Sequence, residues 1–348
     1  MGNGFFYEGG KWILEQVFGE GSIGLVQTQP AYWTFRDQRK GNPHNAFPLL
    51  ASLDVDYLVL QGPLFTRTFR TIWGDTLPEL RRRGIELILL GSAFHRYDRE
   101  EERVARRFLQ ELRPLAVVTR DEVTYRTVSE WGLNCHNGVD SAFALPLAYA
   151  PPVLRLDCRY VAVTFDRYPE PSFSVAPALG SFPQSQRSGR GFGKKFRFDG
   201  EVWSYTQPKL QSWFSNRGKW QAYLGAGLDR RELGSSIGSF TVVRPDHRYN
   251  PHVWWKIYRR PNGMVSDEPF SYCAVYAGAE LTLSDRVHAC VATLAYEKPA
   301  MLFSPTRRSH LFDRVGLGDI RKRPVTLPAE FRDELLFEEI QFLKKAVL

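Results

Sequence analysis

Leu281-Thr-Leu-Ser-Asp-Arg-Val-His-Ala289 is the stretch that decides how this chain is read. Leu281 to Leu283 is the apolar end of a buried strand, and Val287, Val291, Leu294 and Ala295 recur at the spacing of a helix packed on one side. The stretch is a strand-to-helix junction, with Ser284 or Asp285 expected at the helix N-cap. A helix start offers unpaired backbone N–H groups and the positive end of the helix dipole, so an anion held there gains hydrogen bonds and charge attraction together. Arg286 adds a fork that fits a phosphate or a carboxylate. His288 adds a group able to carry or release a proton near neutral pH. The plainer reading of an Arg-x-His pair is a surface ion pair for Arg286 and a partly buried helix residue for His288.

Upstream, short apolar runs alternate with helical patterns, as parallel sheets require. Strands are expected at Ile23 to Gln27, Tyr57 to Gln61, Ile85 to Leu90 and Ala116 to Thr119, and helices at Gly10 to Phe18, Ala46 to Leu53, Leu77 to Arg83 and Arg99 to Leu112. The last helix is the best marked, with Asp98 and Glu101 as a capping box and Val104, Ala105, Phe108, Leu109 and Leu112 as its apolar stripe. Strand after strand ends in small or polar residues: Gln61-Gly62-Pro63, Gly91-Ser92-Ala93 and Thr119-Arg120-Asp121. The carboxyl ends of parallel strands are where open sheets bind ligands, which sets Arg120 to face a cleft. On geometry alone, an ion pair from Arg120 to Asp121 or Glu122 serves equally well.

Pro146 to Pro152 interrupts both periodicities and marks a boundary, after which Tyr160 to Thr164 starts a fresh strand. Tyr168 to Arg217 is rich in Pro, Gly, Ser and aromatics and reads as long loops with one helix near Pro208 to Phe214. Phe240 to Val243 reads as a strand ending in Arg244-Pro-Asp-His247, where His247 is most simply a loop histidine without chemistry. The aromatic stretch His252 to Tyr258 contains Trp254-Trp255, a pair more often found in a core or interface than as a sugar platform. A helix at Pro269 to Ala277 leads into the opening motif, and Pro299 to Phe303 forms a last strand before Thr306-Arg-Arg-Ser-His310. Ala329 to Leu348 is amphipathic through Leu335, Leu336, Ile340, Leu343 and Val347, and is expected to pack across both domains.

A chain of 348 residues, 43% of them hydrophobic, makes about two domains with sizeable cores. The net charge of +8 favours anionic partners: a phosphorylated donor, an acidic glycan, a lipid-linked acceptor at a membrane surface, or nucleic acid. Nucleic acid is disfavoured by the lack of zinc spacing or a reader motif, although Arg187 to Arg197 interleaves basic, glycine and aromatic residues; a solvated loop over the active site is the simpler reading. Cys135, Cys158, Cys273 and Cys290 show no Cys-x-x-Cys spacing and read as reduced thiols of a cytoplasmic protein. The N-terminus has no signal-peptide pattern, and no apolar run approaches the roughly 20 residues of a membrane span.

Three stretches resemble one family. Tyr272-Cys-Ala-Val-Tyr-Ala-Gly-Ala-Glu-Leu-Thr-Leu-Ser-Asp-Arg-Val-His-Ala-Cys-Val-Ala-Thr-Leu-Ala295, followed by Glu297-Lys-Pro-Ala-Met-Leu302, is similar to the C-terminal signature of the polysaccharide pyruvyl transferases, with Val287 where leucine is usual. Ala116-Val-Val-Thr-Arg-Asp-Glu-Val-Thr-Tyr125, Glu130-Trp-Gly-Leu-Asn134 and Val139-Asp-Ser-Ala-Phe-Ala-Leu145 resemble the family's Arg-Asp-Glu segment and its later Asp-Pro-Ala-Phe, with Ser141 in place of the proline. Gly2-Asn-Gly-Phe-Phe-Tyr-Glu-Gly-Gly10 resembles its glycine-rich first turn leading into helix one.

The resemblance implies an α/β, GT-B-like chain of two doubly wound, Rossmann-like domains facing a central cleft. Residues 1–150 would form the acceptor-side domain, 151–328 the donor-side domain with its irregular insert at 168–217, and 329–348 a closing helix. The activity implied is transfer of the pyruvyl group of phosphoenolpyruvate to two hydroxyls of a glycan sugar, giving a cyclic ketal in cell-surface or exopolysaccharide biosynthesis. That donor carries a phosphate and a carboxylate, which call for at least two fixed cations and a helix N-terminus. Arg286, Arg120 and Ser284 would supply these, with Arg244 and Arg308 as further donor contacts; a basic residue is expected at Arg307 or Arg308, where the family tends to carry lysine. His288, with Arg286, is the expected catalytic pair, and Gly62, Ser92 and Asp140 the expected acceptor side. No cofactor is expected beyond phosphoenolpyruvate as co-substrate, and no metal: Asp54-Val-Asp56, the one Asp-x-Asp, reads as a turn or cap. Expected partners are phosphoenolpyruvate and a glycan or lipid-linked oligosaccharide, reached in the cytoplasm or at the inner face of the membrane. The alternatives are a glycosyltransferase of the same fold using a nucleotide sugar, and a non-catalytic glycan-binding relative, which the departures at Ser141, Val287 and Arg307-Arg308 keep open.

Overall fold

The computed structural model describes residues 2–25, 54–74, 76–166, 168–177, 194–206, 232–247 and 260–348. The expected helices at Ala46 to Leu53 and Pro208 to Phe214, and the Trp254-Trp255 stretch, lie outside these residues. The chain forms two compact units. The first is made of Asn3–Tyr149, Thr306–Gly316 and Pro328–Leu348, and the second chiefly of Ala150–Pro305 and Leu317–Leu327. One division falls between Tyr149 and Ala150, inside the Pro146 to Pro152 stretch. Both units are mixed α/β with a parallel sheet, the Rossmann-like class expected of a GT-B-like chain.

The first unit opens with helix α1 (Gly2–Phe18), which starts well before the expected Gly10. Phe5, Phe6, Ile13 and Leu14 are buried on it at helical spacing, and Gly9 and Gly10 share their face. A Cβ on Gly9 would overlap the Ser141 carbonyl, and one on Gly10 the Gln61 side chain. These glycines are there for close approach, so they belong to the helix and not to a turn before it. The elements that follow are β1 (Tyr57–Gln61), α2 (Phe69–Trp73), α3 (Thr76–Arg82), β2 (Glu86–Ser92), α4 (Arg99–Leu112), β3 (Ala116–Thr119), α5 (Glu122–Ser129), β4 (Cys135–Asn137) and, after a 3-10 turn at Ser141–Ala144, α6 (Leu145–Ala148). Residues 23–25 of the expected Ile23 to Gln27 strand are not strand, and 26 and 27 lie outside the described residues.

The four strands lie parallel in the order β1-β2-β3-β4. Leu87, Leu89 and Val117 share a core with Phe69, Trp73, Leu77, Phe108, Leu109 and Val128 from the crossover helices. Because side chains alternate along a strand, Val118 points to the opposite face. Asp98 caps α4 by accepting from the N–H groups of Glu100 and Glu101. Glu101 does not complete the expected capping box; its Oε2 accepts from three successive N–H groups, His95 (3.0 Å), Arg96 (2.7 Å) and Tyr97 (3.0 Å), fixing the loop after β2.

The second unit contains β5 (Tyr160–Thr164), β6 (Ser172–Pro177), β7 (Lys194–Phe198), β8 (Glu201–Thr206), β9 (Ser236–Ile237), β10 (Phe240–Pro245), β11 (Gly263–Met264), α7 (Pro269–Gly278), β12 (Leu281–Ser284), α8 (Val287–Ala295) and β13 (Ala300–Leu302). Its main sheet runs β11-β10-β5-β12-β13, all parallel, with β9 antiparallel on β10. The chain therefore leaves β5 towards β10 and β11 on one side and returns to β12 on the other. Helix α8 is buried on every side, as its run of apolar residues requires. The insert expected to be loops instead holds an antiparallel sheet, β6-β8-β7, that lays Phe196, Trp203 and Tyr205 on a core with Phe240 and Phe303.

Helices α9 (His310–Arg314) and α10 (Ala329–Val347) return to the first unit. Helix α10 packs on β3, β4 and the Ser141–Ala144 turn, and Glu339 and Val118 both border Gly138, which puts α10 on the sheet face opposite the crossover helices. It is grouped with this unit alone. Among the described residues, no helix is long and apolar enough to cross a membrane, and no disulfide joins any two of the four cysteines.

Candidate functional site

In an open parallel sheet, ligands bind outside the carboxyl ends of the strands where the winding reverses. In the second unit that point lies between β5 and β12, and the Ser284-Asp285-Arg286 turn follows β12 there. Ser284, fully buried, donates from Oγ to the Thr164 carbonyl at 3.0 Å and accepts from the Arg286 N–H at 2.9 Å. Its hydroxyl thus shapes the turn, and its expected donor contact gives way to that task. Asp285 accepts from the N–H of Asp166 (3.2 Å) and of Tyr168 (2.8 Å), tying the loop after β5 to the turn after β12. Neither caps α8: Arg286 itself occupies the N-cap, with extended backbone (φ −106°, ψ 121°). A residue at that position projects from the helix start, and its Nε lies 3.4 Å from Asp166 Oδ2 with 28% of the side chain exposed. His288, two residues on, is buried at the first turn of α8.

His247, at the end of β10, joins this edge. Its Nε2 lies 2.5 Å from the Tyr276 hydroxyl, which lies 3.2 Å from Thr164 Oγ1. Burial holds its pKa well below the usual histidine value, and the positive charge of Arg286 acts in the same direction. Burial likewise pushes the Tyr276 hydroxyl well up, so the pair is neutral. The edge thus combines a partly exposed guanidinium, two histidines and a buried carboxylate, Asp166, at one helix start. It suits an oxyanion held beside a proton carrier. His247, Asp166 and Tyr276 were missed as site residues; for His247 the signal was its place at a strand end.

Arg244 does not serve as a donor contact. Its Nε and Nη2 fork on Glu170 at 2.9 Å each, Nη2 also reaches the Gly234 carbonyl at 2.8 Å, and Nη1 the Pro261 carbonyl at 2.9 Å. Four of its five N–H donors are spent inside the protein, at 3% exposure.

The remaining expected residues gather in the first unit. Arg120, fully buried, donates from Nη1 to Asp140 Oδ2 at 2.7 Å, a partner neither Asp121 nor Glu122 supplies. Its Nε and Nη2 have no hydrogen-bond partner among the described residues, and neither has the hydroxyl of buried Ser92, whose carbonyl accepts from the Arg120 N–H at 3.2 Å. Asp140 also caps the 3-10 turn through the Ala142 N–H at 3.1 Å, so it is committed to structure and is withdrawn as an acceptor contact. Gly62 takes a left-handed φ of +93° at the end of β1, with the Phe6 ring where a Cβ would be. Arg307 and Arg308 sit with this unit: Arg307 donates to the Tyr97 carbonyl at 3.0 Å, and the charges of Arg120 and Arg308 both bear on the buried Tyr97 phenol, which donates to Asp121 at 2.9 Å. Among the described residues, no group of three or more His, Cys, Asp or Glu is arranged to hold a metal.

A family model described as polysaccharide pyruvyl transferase matches residues 1–307. No curated protein matches the chain at a significant level. Among solved structures, the chain is similar to MnaA of S. aureus in a structure with UDP, at 11% identity and TM-score 0.44 over 93% of this chain and 75% of that one. It is similar to UDP-GlcNAc 2-epimerase of Neisseria meningitidis bound to UDP-GlcNAc, at 13% identity and TM-score 0.44 over 86% and 73%. An uncharacterized protein of Klebsiella pneumoniae subsp. pneumoniae is similar at 12% identity and TM-score 0.41 over 94% and 88%.

Proposed function

The chain belongs to the polysaccharide pyruvyl transferase family, and from that premise we propose that it moves the pyruvyl group of phosphoenolpyruvate onto two hydroxyls of one glycan sugar. The observation that carries the reading is the placement of Arg286 and His288 at one helix start on the winding reversal of the second unit's sheet. Arg286 holds an oxyanion of the donor, helped by the positive end of α8.

In the reaction, one sugar hydroxyl adds to the central carbon of the enol while the methylene carbon takes a proton and becomes methyl. The second hydroxyl then forms the other carbon–oxygen bond as phosphate leaves with the former enol oxygen, and its proton is released. His288 serves as the acid or base, and neutral His247 and Asp166 set the charge around it.

Calorimetric titration with phosphoenolpyruvate, and separately with nucleotide sugars, tests the reading. Phosphoenolpyruvate should bind, and Arg286→Ala should weaken it by about 1.5–3 kcal/mol, the worth of a hydrogen bond to a charged group. His288→Ala should still bind the donor but release no phosphate when a glycan acceptor is supplied. Unchanged donor affinity in Arg286→Ala removes the assignment, and binding of a nucleotide sugar alone moves the function to glycosyl transfer.

A further inference from the structure

Two arginines stand at the carboxyl edge of the second unit's sheet, each beside a buried carboxylate. Arg244, near the end of β10, is gripped by Glu170 through two contacts of 2.9 Å. Arg286, after β12, approaches Asp166 Oδ2 by Nε at 3.4 Å, longer than the roughly 2.7–2.9 Å of a charge-assisted hydrogen bond. Among the described residues no other carboxylate pairs with Arg286, and its side chain is partly exposed. The backbones that carry this loose pair are fixed. Asp285 accepts from the Asp166 N–H at 3.2 Å and the Tyr168 N–H at 2.8 Å, and Ser284 Oγ accepts from the Arg286 N–H at 2.9 Å. The loop after β5 is thus stitched to the turn after β12, and Asp166 cannot follow the guanidinium outward.

For binding an anion, Asp166 is a hindrance: its burial costs desolvation, it cancels part of the charge of Arg286, and it repels whatever Arg286 attracts. Its place is accounted for if the arginine must release an anion as well as take one. We propose that Asp166 is a positioning residue for Arg286 that competes with a bound oxyanion for the guanidinium: it holds Arg286 while the site is empty, yields it to an oxyanion of the donor, and takes it back as phosphate leaves. This rests on Arg286 as the donor's oxyanion contact. An anion at the exposed side of the guanidinium draws it from a partner 3.4 Å away at small cost, whereas Arg244 would have to break two bonds of 2.9 Å. Tight binding of phosphate as such does not speed the chemical step, so a carboxylate that loosens it costs nothing in the transition state and hastens release.

The test measures affinity for phosphoenolpyruvate and for inorganic phosphate by calorimetry on the full chain, as wild type, Asp166→Asn, Arg286→Ala and the double variant. Asp166→Asn should bind both anions about tenfold or more tightly, the worth of one unit charge a few ångströms away at a partly exposed site. The gain should lie in slower dissociation, read from the line width of the phosphate phosphorus resonance. In the Arg286→Ala background the same substitution should change neither affinity. Wild type alone gives a second readout: the Nε–H resonance of Arg286, identified by its loss in Arg286→Lys, should move as phosphate saturates the protein. Equal affinity in wild type and Asp166→Asn overturns the proposal, as does an Arg286 resonance unmoved at saturation. A gain of the same size without Arg286 shows that Asp166 acts on the anion directly and removes the positioning role, and a gain in association alone removes the role in release. Phosphate bound more tightly by Asp166→Asn, with phosphoenolpyruvate bound by neither protein, leaves the proposal standing and removes the pyruvyl donor; neither anion bound by either protein removes both.

Discussion

Arg244 and Arg120 are two buried arginines whose forks are filled to different extents. The fork of Arg244 is closed by Glu170, so Arg244→Ala breaks a buried ion pair by removing one partner and should cost about 3–5 kcal/mol in urea unfolding, with no separate loss of donor affinity in the folded fraction. A stable variant that binds donor poorly would contradict this. Sequence alone did not separate the two, because each arginine's partner comes from a distant strand end: Glu170 follows β5, and Asp140 follows β4. Arg286 and His288 were legible because both stand within one local junction whose pattern declares itself. His247 was legible only as a position. Its buried ring stays neutral while the unfolded chain takes up a proton below about pH 6.5, so its contribution is complete above that pH and is lost progressively as pH falls. Wild type should therefore lose urea stability relative to His247→Phe between pH 7 and pH 5; parallel curves for the two proteins would rule this out.

Elements with a single clear period were read nearly to their ends: Tyr57–Gln61, Ala116–Thr119, Tyr160–Thr164 and Arg99–Leu112 stand as expected. The errors have a common physical source in close or crosswise packing. Helix α1 was cut short because glycine looks like punctuation until something is seen to press against it. Gly9→Ala, which improves helix propensity by about 1 kcal/mol in an open helix, should instead destabilise the protein, because its methyl meets the Ser141 backbone. Gly10→Ala meets a Gln61 side chain able to move and should cost less; thermal melts that rank the two the other way would refute the packing account. The β7-β8 hairpin carries its own signal, aromatic alternation on both sides of the two-residue turn Asp199-Gly200, whose residues both take a left-handed φ; it is masked by the Pro, Gly and Ser of the stretch around it.

The break near Pro146 to Pro152 was visible as a loss of pattern, but the return of 306–316 and 328–348 to the first unit was not. An amphipathic stripe says that a helix will be covered and is silent about by what. A chain ending at Leu327 should leave the α10 face of β3 and β4 bare, so amides of β1 to β4 should exchange rapidly while those of β5, β10 and β12 stay protected. Uniform protection in the shortened chain would show that α10 is dispensable to the first unit. The same discontinuity has a temporal side. At translation rates of 5–20 residues per second, the last helix follows Tyr149 out of the ribosome by on the order of 10–40 s. For that interval the half of the protein made first is the half that cannot finish, its uncovered sheet face open to whatever chaperone attends the nascent chain.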